Sequence, residues 1–165
     1  MNRQPSGTAA RIQEEPMDEE IVDSPDAWVA GHIQRFLATG GLPRPGTRDL
    51  LLTTRGRRTG RLRRTALAYL PDGHRYVLTA SNAGADAHPS WYLNLVDDPR
   101  VTVQVGTRTL AAHARTATGE DRTRLWRLTV AAMPSYLRYQ EMTARVIPVV
   151  IVEPTSSPGE RTPPA

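Results

Sequence analysis

Apolar positions along this chain follow two rhythms, a helical one at its start and a strand-like one through its middle. Trp28, Val29, Ile33, Phe36 and Leu37 recur at helical spacing, which predicts an amphipathic helix. Ser24-Pro25-Asp26 reads as its start, with Pro25 at the first helical position, and Gly40-Gly41 as its stop. Leu42 to Arg48, with Pro43 and Pro45, reads as a loop. Strands are predicted over Asp49–Arg55, Arg63–Leu70 and Arg75–Ala80, with a tight turn at Pro71-Asp72-Gly73. Pro89 opens a short helix over Ser90–Val96, which Asp97-Asp98-Pro99 ends. Val101, Val103 and Val105 alternate with Thr102 and Gln104, the pattern of a half-buried strand. Gly106-Thr107 then turns the chain into a strand over Arg108–Ala117. Thr118-Gly119-Glu120-Asp121 starts a helix with acids in its first turn, and Leu125, Trp126, Leu128, Thr129 and Ala132 form its inner face. Pro134 breaks that helix, and Ser135–Arg145 continues as a second piece. A last strand covers Ile147–Val152, with Pro148 placing it at an edge or at a strand start.

Hairpin-linked strands without repeating βαβ units predict an α+β domain around an antiparallel barrel or sheet. No Gly-x-Gly-x-x-Gly follows a strand, so nothing supports a Rossmann nucleotide site. A length of 165 residues at 39% hydrophobic content suits one domain with a real core. The absence of cysteine excludes disulfides, thiolate metal sites and a cysteine nucleophile. His32, His74, His88 and His113 form no short ligand pair, so no metal is expected. No apolar run approaches the roughly 20 residues that span a bilayer, and no signal-peptide pattern opens the chain; a cytoplasmic protein is expected. For the stripe of the 26–39 helix, packing on the body competes with a weak peripheral contact at the inner face of the cell membrane.

Charge changes the picture most. All 21 basic residues are arginine, which excludes a lysine Schiff base or a lysine general base. The net charge of +4 hides an asymmetry: residues 1–26 hold seven acids against Arg3 and Arg11. Residues 1–25, acidic and proline-punctuated, are expected to be a disordered arm, and residues 155–165 a disordered tail. The 26–154 body is strongly basic, which implies an anionic ligand or partner. Six of the ten residues from Arg55 to Arg64 are arginine, punctuated by Gly56 and Gly60 and flanked by strands. Guanidiniums gathered on one turn suit a phosphate or polycarboxylate ligand; the plainer reading is a solvated basic hairpin.

Three more clusters could carry chemistry. Ala80-Ser81-Asn82-Ala83-Gly84-Ala85 leaves a strand with small residues, open to a planar ligand or simply a connection. His88-Pro89-Ser90-Trp91-Tyr92-Leu93-Asn94-Leu95 puts two adjacent aromatics in a chain that is only 5% aromatic, with Trp91 read as core. Pro134-Ser135-Tyr136-Leu137-Arg138-Tyr139-Gln140 places Tyr136 and Tyr139 on one helix face, as a ligand wall or as packing.

Together these stretches resemble the deazaflavin-dependent nitroreductase family. The resemblance rests on Leu50-Leu51-Leu52-Thr53-Thr54-Arg55-Gly56-Arg57-Arg58-Thr59-Gly60, Ala80-Ser81-Asn82, and His88-Pro89-x-Trp91-Tyr92-Leu93-Asn94-Leu95. It continues through Asp98-Pro99-x-Val101, Pro134-Ser135-Tyr136-x-x-Tyr139-Gln140 and Ile147-Pro148-Val149-Val150. The pieces run in order through residues 26–154.

The resemblance implies a split β-barrel, an antiparallel six-stranded barrel with flanking helices like that of FMN-binding relatives. It also implies coenzyme F420, an 8-hydroxy-5-deazaflavin with a phosphate-linked polyglutamate tail. Hydride would pass between the coenzyme and a small electrophile such as a quinone, enone or nitroaromatic. By match to the family motif, Arg57, Arg58 and Thr59 fall on the phosphate turn, and Arg63 or Arg64 on the next basic position. Ser81 and Asn82 fall on the loop edging the deazaflavin. Tyr136 and Tyr139 match tyrosines of the substrate pocket, and Tyr136 is the candidate proton donor. Relatives often carry lysine at the positions of Arg58 and Asn82. Nitroimidazole-activating relatives carry tyrosine where this chain has Met133, so bulky bicyclic nitroimidazoles are not expected substrates. The coenzyme would do the chemistry and the protein would bind and orient it. The same barrel using FMN is the alternative, since a basic turn reads a single phosphate equally well. A coenzyme carrier without catalysis is a further reading. A nucleic-acid-binding module fits the charge but leaves the tryptophan and tyrosine clusters without a role, so no nucleic-acid partner is expected.

Overall fold

The computed structural model describes residues 19–155. In chain order these form β1 (Ile21–Asp23), α1 (Ala27–Ala38), β2 (Asp49–Arg55), β3 (Leu62–Ala68), β4 (Leu70–Asp72) and β5 (Arg75–Thr79). A 3₁₀ turn (Asn82–Gly84), α2 (Ser90–Asp97), β6 (Arg100–Val105), β7 (Arg108–Thr116), α3 (Gly119–Ala132), α4 (Ser135–Glu141) and β8 (Val149–Pro154) follow. Seven residues of the expected arm, 19–25, are described, and Ile21–Asp23 are a strand. The rest of the arm, residues 1–18, and residues 156–165 of the tail lie outside the described residues.

Helix α1 starts two residues later than the proline suggested, at Ala27. Asp26 is its N-cap, and its carboxylate accepts the Val29 amide at 3.0 Å. Pro25 therefore precedes the cap. Gly41 ends the helix by donating to the Phe36 carbonyl. Ile33 and Phe36 pack with Leu51 and Ala66 on β2 and β3, so the stripe faces the body. Trp28, 65% exposed, stays outside that contact.

One eight-stranded sheet has the order β1-β3-β2-β6-β7-β8-β5-β4. The expected antiparallel six-stranded barrel is corrected on two counts. The sheet is mixed, because β1 runs parallel to β3. It is also open: no ladder joins its β4 end to β3. The reason lies in the edges. The edge of β3 that closure would need is taken by β1, with Ile21 opposite Leu62 and Asp23 opposite Arg64. The chain then breaks at Tyr69, whose amide bonds the Arg48 carbonyl, and resumes as β4 with β5 as its new partner. Pro71 sits on β4, an edge strand, where its missing N–H costs nothing.

The side-chain alternation of the strands divides the core. Leu50 and Leu52 of β2, Leu78 of β5, Val103 of β6, and Val150 and Val152 of β8 meet in one cluster. The opposite parity, Val77, Val149 and Ile151, packs under α3 through Leu125. Strand β8 lies between β7 and β5, not at an edge. Pro148 is tolerated there because it precedes the strand, and its carbonyl accepts the Ala80 amide.

Candidate functional site

The arginine turn closes on its glycines. The Gly56 amide bonds the Arg61 carbonyl at 2.7 Å, and the Gly60 amide bonds the Gly56 carbonyl at 2.8 Å. Gly60 has φ +68°, a left-handed conformation that a side chain would strain. The Thr59 hydroxyl accepts the Arg61 amide. Asn94 of α2, only 5% exposed, ties the turn to the domain. Its Oδ1 accepts both the Arg57 amide (3.2 Å) and Arg57 Nη1 (3.0 Å), while its Nδ2 donates to Thr54 Oγ1. Each of Asn94's polar atoms is thus used, which is the condition for burying an amide without cost.

Beside the turn lies a cleft of about 580 Å³. Arg57, Arg58, Thr59, Arg63 and Arg64 line it, together with Asn82, Trp91 and Asn94. Ser24, Pro25, Asp26 and Val29 line it as well. Arg64 is held by Asp23, Nε to Oδ1 at 2.6 Å and Nη2 to Oδ2 at 3.1 Å. Arg57, Arg58 and Arg63 have no carboxylate partner among the described residues.

Asn82 reaches the cleft from a strained turn: Asn82 and Ala83 have φ +46° and +53°. Its side-chain amide donates to the Ala87 carbonyl. Ser81 does not line the cleft; it is buried, and its carbonyl accepts Arg145 Nη2 at 2.7 Å. Arg145 is the hub of this loop. It also donates to the Ala85 carbonyl through Nε, and to the Ala80 carbonyl and His88 Nδ1 through Nη1. Burial first, then the Arg145 charge, holds His88 below the ordinary histidine range. Gly84 lets α4 approach: a Cβ there would lie 2.9 Å from Met142 Sδ and 3.1 Å from the Tyr139 carbonyl.

Tyr136 and Tyr139 stand apart from the arginine turn. Their rings pack edge-on at 6.2 Å between centroids. Tyr136 lines a second cavity of about 150 Å³ with Tyr69, Arg48, Thr129 and Met133. Burial first, then Tyr139, raises the Tyr136 phenol above the ordinary tyrosine range. Strand β3 connects the two hollows. Its Arg63, Arg64 and Thr65 line the cleft, and its last residue, Ala68, lines the small cavity. Sequence reasoning missed Asn94 and Arg145 as organising residues. A lone asparagine in the apolar run Trp-Tyr-Leu-Asn-Leu was a readable sign of a buried, bonded amide; nothing marked Arg145.

A basic cleft thus lies at one end of strand β3 and a cavity lined by Tyr69 and Tyr136 at the other. A family model described as F420H(2)-dependent quinone reductase matches residues 29–154, and the chain belongs to that family of coenzyme-dependent oxidoreductases. It is 37% identical to an F420H(2)-dependent quinone reductase of Mycobacterium tuberculosis over 107 residues, 63% of this chain and 72% of that protein. A solved F420-H2 dependent reductase is similar at 42% identity and TM-score 0.61, covering 68% of this chain and 96% of that one. A structure described as a domain-swapped dimer is 39% identical with TM-score 0.63, covering 79% of this chain and 100% of that one. Among the described residues no helix is long and apolar enough to cross a membrane, and no group of three metal-binding side chains occurs.

Proposed function

We propose that this chain binds F420 in the 580 Å³ cleft and reduces quinones, enones or nitroaromatics seated toward Tyr136. The observation that carries this reading is the excess of free cation at the turn. Arg57, Arg58 and Arg63 lie on one cleft without carboxylate partners among the described residues, and Thr59 adds a hydroxyl. A phosphate followed by several carboxylates matches that donor set better than the single phosphate of FMN.

The bound coenzyme supplies the hydride. Arg58 and Arg63 neutralise the anionic tail, and Arg57 is set at a fixed angle by Asn94. Asn82 and the loop held by Arg145 form the edge toward the ring. Like any tyrosine, Tyr136 holds its proton at neutral pH, and burial disfavours the phenolate further. Its hydroxyl therefore donates a hydrogen bond to an acceptor oxygen and stands ready to protonate it. Titration with F420 and FMN in parallel tests the cofactor; oxidation of reduced F420 by a quinone, an enone and a nitroaromatic tests the acceptor. Tighter binding of FMN than of F420 overturns the assignment.

A further inference from the structure

Ser24, Pro25 and Asp26 of the acidic N-terminal segment line the same cleft as the arginine turn. Glu19, Glu20, Asp23 and Asp26 bring four carboxylates into eight residues. Two of them already clasp guanidiniums in bidentate pairs. Asp23 holds Arg64, which lines the cleft. Glu19 grips Arg55, whose Nη1 also donates to the Gly60 carbonyl and so braces the turn. Asp26 lines the cleft while capping α1. The segment is placed by backbone as well: β1 pairs in parallel with β3, and the Ser24 amide bonds the Arg64 carbonyl at 3.0 Å. Both ion pairs of this strap are at least partly open to solvent, so these side-chain fastenings, unlike the backbone bonds, are ones that a competing anion can replace.

We propose that residues 19–26 form a tethered counter-anion: Asp23 holds Arg64 and yields it to the anionic tail of the incoming coenzyme. The proposal rests on the reading of this cleft as the coenzyme site. Its physics is competition. The carboxylate and the ligand's phosphate or carboxylates want the same guanidinium, so the affinity observed for any polyanion is reduced by the pair that must break. The strap also discriminates, since neutral or cationic molecules gain nothing by displacing it. The linkage is reciprocal: a ligand that takes Arg64 loosens β1.

The experiment compares the parent with D23N, which keeps the shape of the side chain and the β1 backbone pairing but removes the charge. Binding of F420 and of inorganic pyrophosphate is titrated at low and at high salt, and amide exchange of residues 19–26 is followed with and without ligand. At low salt D23N is expected to bind both probes about two- to fivefold tighter than the parent, with the difference shrinking at high salt. In the parent, exchange at residues 21–24 is expected to speed up when the cleft is filled. Equal or weaker binding by a folded D23N overturns the proposal. So does slower exchange of the strap on ligand binding, a measurement on the parent that decides the matter even if D23N does not fold. Pyrophosphate binding that is tighter in D23N, with no F420 binding by either protein, supports the strap and refutes the coenzyme reading. F420 binding that is indifferent to D23N, with unchanged exchange, supports the coenzyme reading and refutes the strap.

Discussion

Replacing Arg145 by methionine keeps an apolar stem and removes the guanidinium. The consequences follow from what that group holds. It donates to the carbonyls of Ala80, Ser81 and Ala85 and to His88 Nδ1, at 2.7–3.1 Å. Ala85 is exposed, so water replaces its bond. The Ser81 carbonyl keeps the Gly84 amide at 2.9 Å, whereas the carbonyl of Ala80, a residue at 0% exposure, loses its donor without ready access to water. Leaving one buried acceptor unsatisfied predicts a loss of about 1–3 kcal/mol. For a domain of this size that lowers the melting temperature by about 2–12 °C. Urea denaturation followed by tryptophan fluorescence measures it. R145K should recover less than half of the loss, because one ammonium cannot reproduce the planar fork that reaches three carbonyls. A loss below about 0.5 kcal/mol in R145M, with the urea slope unchanged, would show that Arg145 does not hold the 80–88 loop.

Three further outcomes are expected. R58A should weaken F420 binding by about 10- to 150-fold, the worth of one charge-assisted bond to phosphate, with little change in melting temperature because Arg58 is exposed; isothermal titration and a thermal melt check both. Y136F should lower turnover by up to about 10²- to 10⁴-fold if the phenol delivers the proton, while coenzyme affinity is retained; steady-state kinetics with several acceptors, with Y139F as control, measure the split. His88 makes stability depend on pH. Its folded-state pKa lies below the ordinary value near 6.5, so below that pH the unfolded chain binds more protons, and stability present above about pH 6.5 is lost as pH falls through the folded value; urea midpoints from pH 8 to 5 should fall less in H88Q than in the parent.

Much of the architecture was legible because local pattern and tertiary environment agree. Asp49–Arg55 is a strand with the predicted bounds, since its apolar side chains are covered on both faces. The stop at Gly40-Gly41 and the helix after Pro89 follow from backbone chemistry alone. The open, mixed sheet was not legible. It depends on Ile21-Val22-Asp23, three residues inside an acidic stretch with no alternation long enough to register. Within the candidate site, Arg57, Arg58, Thr59, Arg63 and Arg64 come together because one turn carries them, and Asn82 joins them from the next loop. The separate cavity of Tyr136 joins residues far apart in the chain, from Gly46 to Tyr136, and the 80–85 loop is held by Arg145, some sixty residues from its carbonyl partners. Spacing in sequence carries no record of such contacts.

In the proposed function the cleft and the tyrosine cavity act together on one coenzyme and one acceptor. The most direct measurement mixes the protein with reduced F420 and a quinone under anaerobic conditions and follows the deazaflavin absorbance. The account predicts that the oxidised chromophore reappears at a rate proportional to protein concentration, that R58A slows it at limiting coenzyme, and that Y136F slows it at saturating coenzyme. No recovery of the chromophore with any quinone, enone or nitroaromatic, from a protein that binds FMN more tightly than F420, would contradict it.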